Sequence, residues 1–180
     1  MYFSDKCCVA MIKYISNAEH YEAVLAHCED VRRTLWIGTA DIKDAYVDVK
    51  GEKVPFLKLL ARLIRRGVEV RLIHAKEPGP AFREDFDKYP VLYAGMERVL
   101  CPRVHFKMIV FDCREVYVGS ANLTGAGMGM KGENRRNFES GIFTDDPDIV
   151  EQAMAQFDGV WMGSHCKQCK RRDYCSDPIK

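Results

Sequence analysis

The sequence predicts an α/β fold, a mixed central sheet with helices packed on it. Three observations carry that expectation. A strand–helix–strand order runs from Thr34 to Ile73, two apolar strands separated by a tight turn span 105–119, and a capped amphipathic helix follows Asp146.

Each element has its own signal. Ser16 to Asp30 reads as a helix: Ser16 and Glu19 fit a capping box, and Tyr21, Val24, Leu25 and Cys28 share one face. Thr34 to Gly38 reads as a buried strand. Pro55 opens a second helix, with Phe56, Leu59, Leu60, Leu63 and Ile64 as its apolar stripe and Gly67 at its end. Val68 to Ile73 is the next strand. This order predicts a right-handed crossover between neighbouring parallel strands.

Lys76 to Pro90 reads as a surface loop with a short helix, and Val91 to Val99 contains a strand. His105 to Phe111 and Val116 to Gly119 form a strand and its return. Leu123 to Arg136, rich in glycine and methionine over Gly125–Met130, reads as a flexible loop. Phe138 to Phe143 is another strand. Asp146 caps the last helix, Pro147 occupies its first turn, and Ile149, Val150, Ala153, Phe157, Val160 and Trp161 are expected to face inward. The expected organisation is a main domain over 1–162 and a cysteine-rich tail over 163–180.

Composition sets bounds. A chain of 180 residues can bury one real core. A formal net charge of +1 neither demands nor excludes a polyanionic partner, since local clusters outweigh the sum. The apolar stretch Cys7–Ile12 is too short for a signal peptide or a membrane span, so a soluble, cytoplasmic protein is expected. Eight cysteines without an export signal argue against a disulfide framework.

The run His105-Phe106-Lys107-Met108-Ile109-Val110-Phe111-Asp112 places polar groups where a strand should bury apolar ones. Side chains alternate along a strand, so His105 and Lys107 share a face with Ile109 and Phe111. An imidazole and an ammonium one pleat apart suit attack on phosphorus, with the lysine holding the negative charge. Gly119-Ser120-Ala121-Asn122 and Asn137-Phe138-Glu139 follow. Two other His-x-Lys pairs act as controls. His74-Ala75-Lys76 has Ala81 where an aspartate is wanted, His165-Cys166-Lys167 has Arg172 there, and neither is followed by Gly-Ser-x-Asn.

His105-x-Lys107-x4-Asp112 with Gly119-Ser120-x-Asn122 and Asn137-x-Glu139 resembles the signature of the phospholipase D superfamily, across roughly residues 15–162. The resemblance implies a two-step phosphodiester cleavage. His105 attacks phosphorus to form a phosphohistidine, which water hydrolyses, and a second histidine protonates the leaving oxygen. Lys107 and Asn122 hold the non-bridging oxygens, Ser120 adds a hydrogen bond, and Glu139 fixes the tautomer of the attacking ring. Asp112 belongs to the signature, but it also stands where a turn former is needed before Cys113-Arg114. No catalytic metal is implied. One motif per chain, for a reaction that needs two histidines, implies a homodimer with a composite site.

The expected substrate is nucleic acid, cleaved by a nuclease (as an endonuclease) of low sequence specificity. The alternatives are a phospholipase or phosphatidyl transferase acting on phospholipid, with the methionine–glycine loop touching lipid, and a non-catalytic, metal-stapled nucleic-acid-binding module.

Cys166-x2-Cys169-x5-Cys175 closes the chain and resembles the C-terminal three-cysteine motif of the RecB-type and CRISPR-associated iron–sulfur nucleases. It implies a structural 4Fe–4S cluster, with zinc as the alternative occupant and three free thiols as the other reading. Inferred topology makes Cys101 the first choice for a fourth ligand, then Cys7 or Cys8, then His165. The same topology brings Lys167, Lys170, Arg171 and Arg172 near the cleft, where with Lys131, Arg135 and Arg136 they would form a basic rim.

Overall fold

The computed structural model describes residues 9–43 and 45–176. Its centre is a seven-stranded sheet in the order β1-β9-β8-β7-β2-β5-β6. The strands are β1 (Ile12–Ser16), β2 (Thr34–Thr39), β5 (Glu69–His74), β6 (Met96–Leu100), β7 (Lys107–Phe111), β8 (Glu115–Gly119) and β9 (Ser140–Thr144). β2, β5 and β6 run parallel, while β2–β7, β7–β8, β8–β9 and β1–β9 pair antiparallel. The sheet is mixed, as the strand order in the sequence predicts.

Helices cover both faces. On one face α1 (Phe56–Arg65) buries Phe56, Leu59, Leu60 and Leu63 against Leu35 and Ile37 of β2 and Ile109 and Phe111 of β7. On the other face α4 (Pro147–Trp161) sets Val150, Ala153 and Phe157 against Trp36, Met108, Val110 and Val116. All five residues of β7 are buried, because this strand is sandwiched between the two layers. The Asp146 carboxylate caps α4 by accepting from the N–H groups of Asp148 and Ile149.

Several expectations are corrected. Ser16 ends β1 and pairs with Ser140, so no α-helix starts there. Glu19 does accept from the Ser16 backbone and hydroxyl, both at 2.9 Å, but Asn17 turns the chain with φ 43° before helical winding begins. That winding is a π-helix over His20–Leu25 and a 3-10 turn over Cys28–Asp30. A second, two-stranded sheet of β3 (Tyr46–Val49) and β4 (Glu52–Pro55) precedes α1 and has no counterpart in the sequence reading. Lys50 and Gly51, both at positive φ, make its tight turn.

The 76–90 segment holds α2 (Pro80–Asp87), and α3 (Val91–Gly95) precedes β6. Ile149 is 38% exposed, not inward-facing. The glycine–methionine segment is folded onto the core: Leu123 and Met128 are buried, and Gly129, at φ 73°, lies where a Cβ would stand 2.5 Å from the Asn17 carbonyl. No helix among the described residues is long and apolar enough to cross a membrane.

Candidate active site

One end of the sheet collects the C-terminal end of β2, the start of β7, the end of β8 and the start of β9. Antiparallel pairing of β7 and β8 sets Lys107 opposite Gly119, and β8–β9 pairing sets Gly119 opposite Gly141. Residues adjacent to these positions, though far apart in sequence, therefore share a rim.

His105 sits just before β7, in a turn tied down by Val104 N donating to Cys101 O at 3.0 Å and Cys101 N donating to His74 O at 2.9 Å. Lys107 is 6% exposed. Its Nζ lies 3.3 Å from His105 Nδ1 and donates to the His105 carbonyl at 2.6 Å. Burial lowers the Lys107 pKa from the usual lysine value, and the Glu139 carboxylate opposes that shift.

The other polar groups are held from below. Asn122 Oδ1 accepts from Asp41 N at 3.1 Å, so its amide nitrogen is the end available to donate. Thr39 Oγ1 braces the same corner, donating to Asp41 O at 2.8 Å and accepting from Leu123 N at 3.1 Å. Ser120 Oγ donates to Glu139 Oε2 and accepts from Ser140 N at 3.0 Å. Glu139 Oε1 accepts from Asn137 Nδ2 at 3.0 Å. Within one chain the Glu139 carboxylate thus engages Ser120 and Asn137, and it is close enough to Lys107 to act on that ammonium.

Asp112 does not join this rim. It lies at the far end of β7, roughly 17 Å along the strand from Lys107 at ~3.4 Å per residue. Its carboxylate accepts from Arg33 N at 2.7 Å, Thr34 N at 3.0 Å and Arg32 N at 2.9 Å. Burial by itself would raise its pKa, but those N–H donors outweigh it and hold the carboxyl below the usual range. Asp112 and Cys113 both have positive φ, and these bonds secure the β7–β8 turn.

Asn17 and Tyr117 had no signal in the sequence. The Asn17 backbone N–H donates to Glu139 O at 3.1 Å, and its Oδ1 accepts from Glu139 N at 3.3 Å. His20, fully buried, packs edge-on against Tyr117 below the rim and is kept below its usual pKa by burial. The control residue His74 is also buried, with Nδ1 bound to Lys76 O at 2.7 Å in the core.

The cysteine tail packs beside the turn that carries His105. Cys101, Cys166, Cys169 and Cys175 line one cavity of about 280 Å³, with His165 and Arg103. As the side chains stand, no three His, Cys, Asp or Glu among the described residues are placed to hold a metal ion. Cys7 and Cys8 lie outside the described residues. Lys131 and Arg135 are exposed, as are Lys167, Lys170 and Arg171 on the tail.

Residues 11–161 match the family model described as "Cardiolipin synthase, PLD-like domain". The chain belongs to this phospholipase D-like family, and the spaced His105, Lys107, Ser120 and Asn122 fall within the matched region. No curated protein matches the chain in sequence. Among solved structures it is similar to NucT from Helicobacter pylori, with 14% identity, TM-score 0.62, and 83% of this chain and 94% of that one covered. It is also similar to the phospholipase D family member Nuc from Salmonella typhimurium, with 18% identity, TM-score 0.63 and coverage of 84% and 94%. The archaeal chromatin protein TrmBL2 shares the fold at 14% identity and TM-score 0.59, covering 88% of this chain and 55% of that one.

Proposed function

We propose that the protein is a phosphodiesterase that cleaves nucleic acid through a phosphohistidine on His105. The observation that carries this reading is the Lys107 ammonium 3.3 Å from the His105 ring, on a rim shared with Ser120, Asn122 and Glu139. The imidazole bonds to phosphorus and the bridging oxygen leaves with a proton. Water then attacks the phosphohistidine and frees the ring. Lys107 and the Asn122 amide neutralise charge on the non-bridging oxygens, where preorganised donors contribute most.

The proton donor is His105 of a second copy, since the chain carries one such motif. A surface for that copy lies near the rim. Val118 of β8, Ile142 of β9 and Tyr14 of β1 are direct cross-strand neighbours, and all three are exposed. They form an apolar strip on the same sheet face as α4, suited to an isologous contact.

Nucleic acid is favoured over phospholipid because Met128, in the segment that would have to reach lipid, is buried in the core. One structural neighbour, TrmBL2, is itself described as binding DNA. The test is incubation of the full chain with labelled single- and double-stranded DNA, RNA and phospholipid vesicles, alongside His105→Ala. Hydrolysis of nucleic acid by the parent, with binding but no turnover by the variant, is expected. A variant as active as the parent overturns the mechanism, preferential turnover of vesicles overturns the substrate, and an active, strictly monomeric species in sedimentation overturns the composite site.

A further inference from the structure

We propose that Cys101, Cys166, Cys169 and Cys175 are the four ligands of a thiolate metal centre that clasps the C-terminal segment to the turn preceding β7. Two stretches of chain far apart in sequence bring these four cysteines to the lining of one cavity of about 280 Å³. All four cysteines are free and half-buried. The other two described cysteines are placed differently: Cys28 is buried in the core, and Cys113 is exposed in the β7–β8 turn at the opposite end of the sheet. The gathering is therefore selective.

The local backbone suits ligation. Cys166 and Cys169 flank a tight turn closed by Cys169 N donating to Cys166 O at 3.1 Å. Arg171 N donates to Cys169 Sγ at 3.4 Å, the kind of N–H···S bond that supports a metal-bound thiolate. Cys175 Sγ lies 3.9 Å from the carbonyl of Leu100, the residue before Cys101, so the tail and the sheet edge already meet.

Charge points the same way. Four thiolates around a dication carry a net charge of about −2. The same cavity is lined by Arg103, Arg171 and Arg172, and Arg172 Nη1 also donates to Cys166 O at 3.2 Å. Three guanidinium groups would be poorly placed around an empty apolar cavity and are well placed around an anionic centre.

The tail also needs a staple. No residue from Met162 to Ser176 is buried, and Met162 and Tyr174 are largely exposed, so apolar packing does not hold this segment to the domain. A structural metal supplies folding free energy where a core does not. The sulfurs stand apart in the structure, so metal binding has to draw them together around the cavity that the four residues line. Zinc and a 4Fe–4S cluster both use this ligand set. The consequence for His105, that the clasp steadies the turn bearing it, rests on the functional reading above; the metal site itself does not.

The test is metal, sulfide and thiol analysis of the full chain purified without oxygen or chelator. One zinc per chain, or iron with equimolar sulfide and the broad visible absorbance of a cluster, is the expected result, and which of the two appears identifies the occupant. Cys101→Ser and Cys169→Ser should lower metal content severalfold, while Cys113→Ser retains it. Should the ligand variants fail to fold, titration of the chelated parent chain with zinc should protect four thiols from alkylation. A metal-free protein whose four thiols remain reactive after zinc addition, full metal retention in both ligand variants, or disulfides among these cysteines in the anaerobic protein would overturn the proposal. None of these readouts depends on hydrolysis.

Discussion

Asp112→Asn separates the two roles that the sequence leaves open for this residue. The carboxylate receives backbone N–H groups from three consecutive residues, with Arg33 and Thr34 on Oδ1 and Arg32 on Oδ2. An asparagine keeps the shape but presents an N–H₂ group where one acceptor stood, and it removes the charge that strengthens the remaining bonds. Hydrogen bonds to a charged group contribute ~1.5–3 kcal/mol each, but water can replace part of this at the exposed Arg32 and Arg33 amides. The expected loss is about 2 kcal/mol, or about 4–8 °C in Tm for a chain of this size. Because the folded carboxyl has a lowered pKa, its stabilisation is complete above the usual carboxylate range and fades as pH falls through the folded value. The difference in Tm between parent and variant should therefore be full at neutral pH and shrink in acid. Thermal unfolding followed by circular dichroism across pH, with hydrolysis measured well below Tm, makes the comparison. Parent-like turnover with lowered Tm is the expected pair of results. A large loss of turnover with an unchanged Tm would refute the structural assignment, and so would a Tm difference that does not depend on pH.

Two further predictions follow from the same geometry. Lys107→Met should cut turnover by about 10²–10³-fold through loss of the charge at the phosphate, while leaving Tm equal or higher, since a buried ammonium with a lowered pKa opposes folding. The sign is that of a base binding its proton less tightly when folded, so parent stability should rise with pH on approach to the usual lysine range, and urea titration of both proteins would show whether it does. Asn17→Ala loses both the bond to Glu139 N and a residue tolerant of positive φ, whereas Asn17→Gly loses the bond alone. Alanine should therefore be the less stable of the two by about 1 kcal/mol, with turnover reduced in both; equal Tm values would show that the backbone conformation there is not what matters.

Much of the molecule was legible because its signals are local. Pro55 and Gly67 bracketed α1, Asp146 with Pro147 announced α4, and the expected nearness of His105 and Lys107 is met at 3.3 Å although β7 itself begins only at Lys107. Glycine and methionine content misled over 123–136, because composition does not reveal that Met128 fills a core gap and that Gly129 passes close to Asn17. The hairpin of β3 and β4 was missed because its turn signal, Lys50-Gly51, lies in a short segment without a long apolar run.

By itself, then, the sequence determined α1, α4 and the strands β2, β5, β7, β8 and β9 to within a residue or two, and it set His105 two residues ahead of Lys107, since these depend on contacts between near neighbours in the chain. The tertiary structure alone decided that Asp112 serves a turn far from His105 and that Asn17 braces Glu139. Those relations depend on which strands adjoin and in what register, and that is set by the joint burial of two helical layers against one sheet, a property no short stretch of residues possesses.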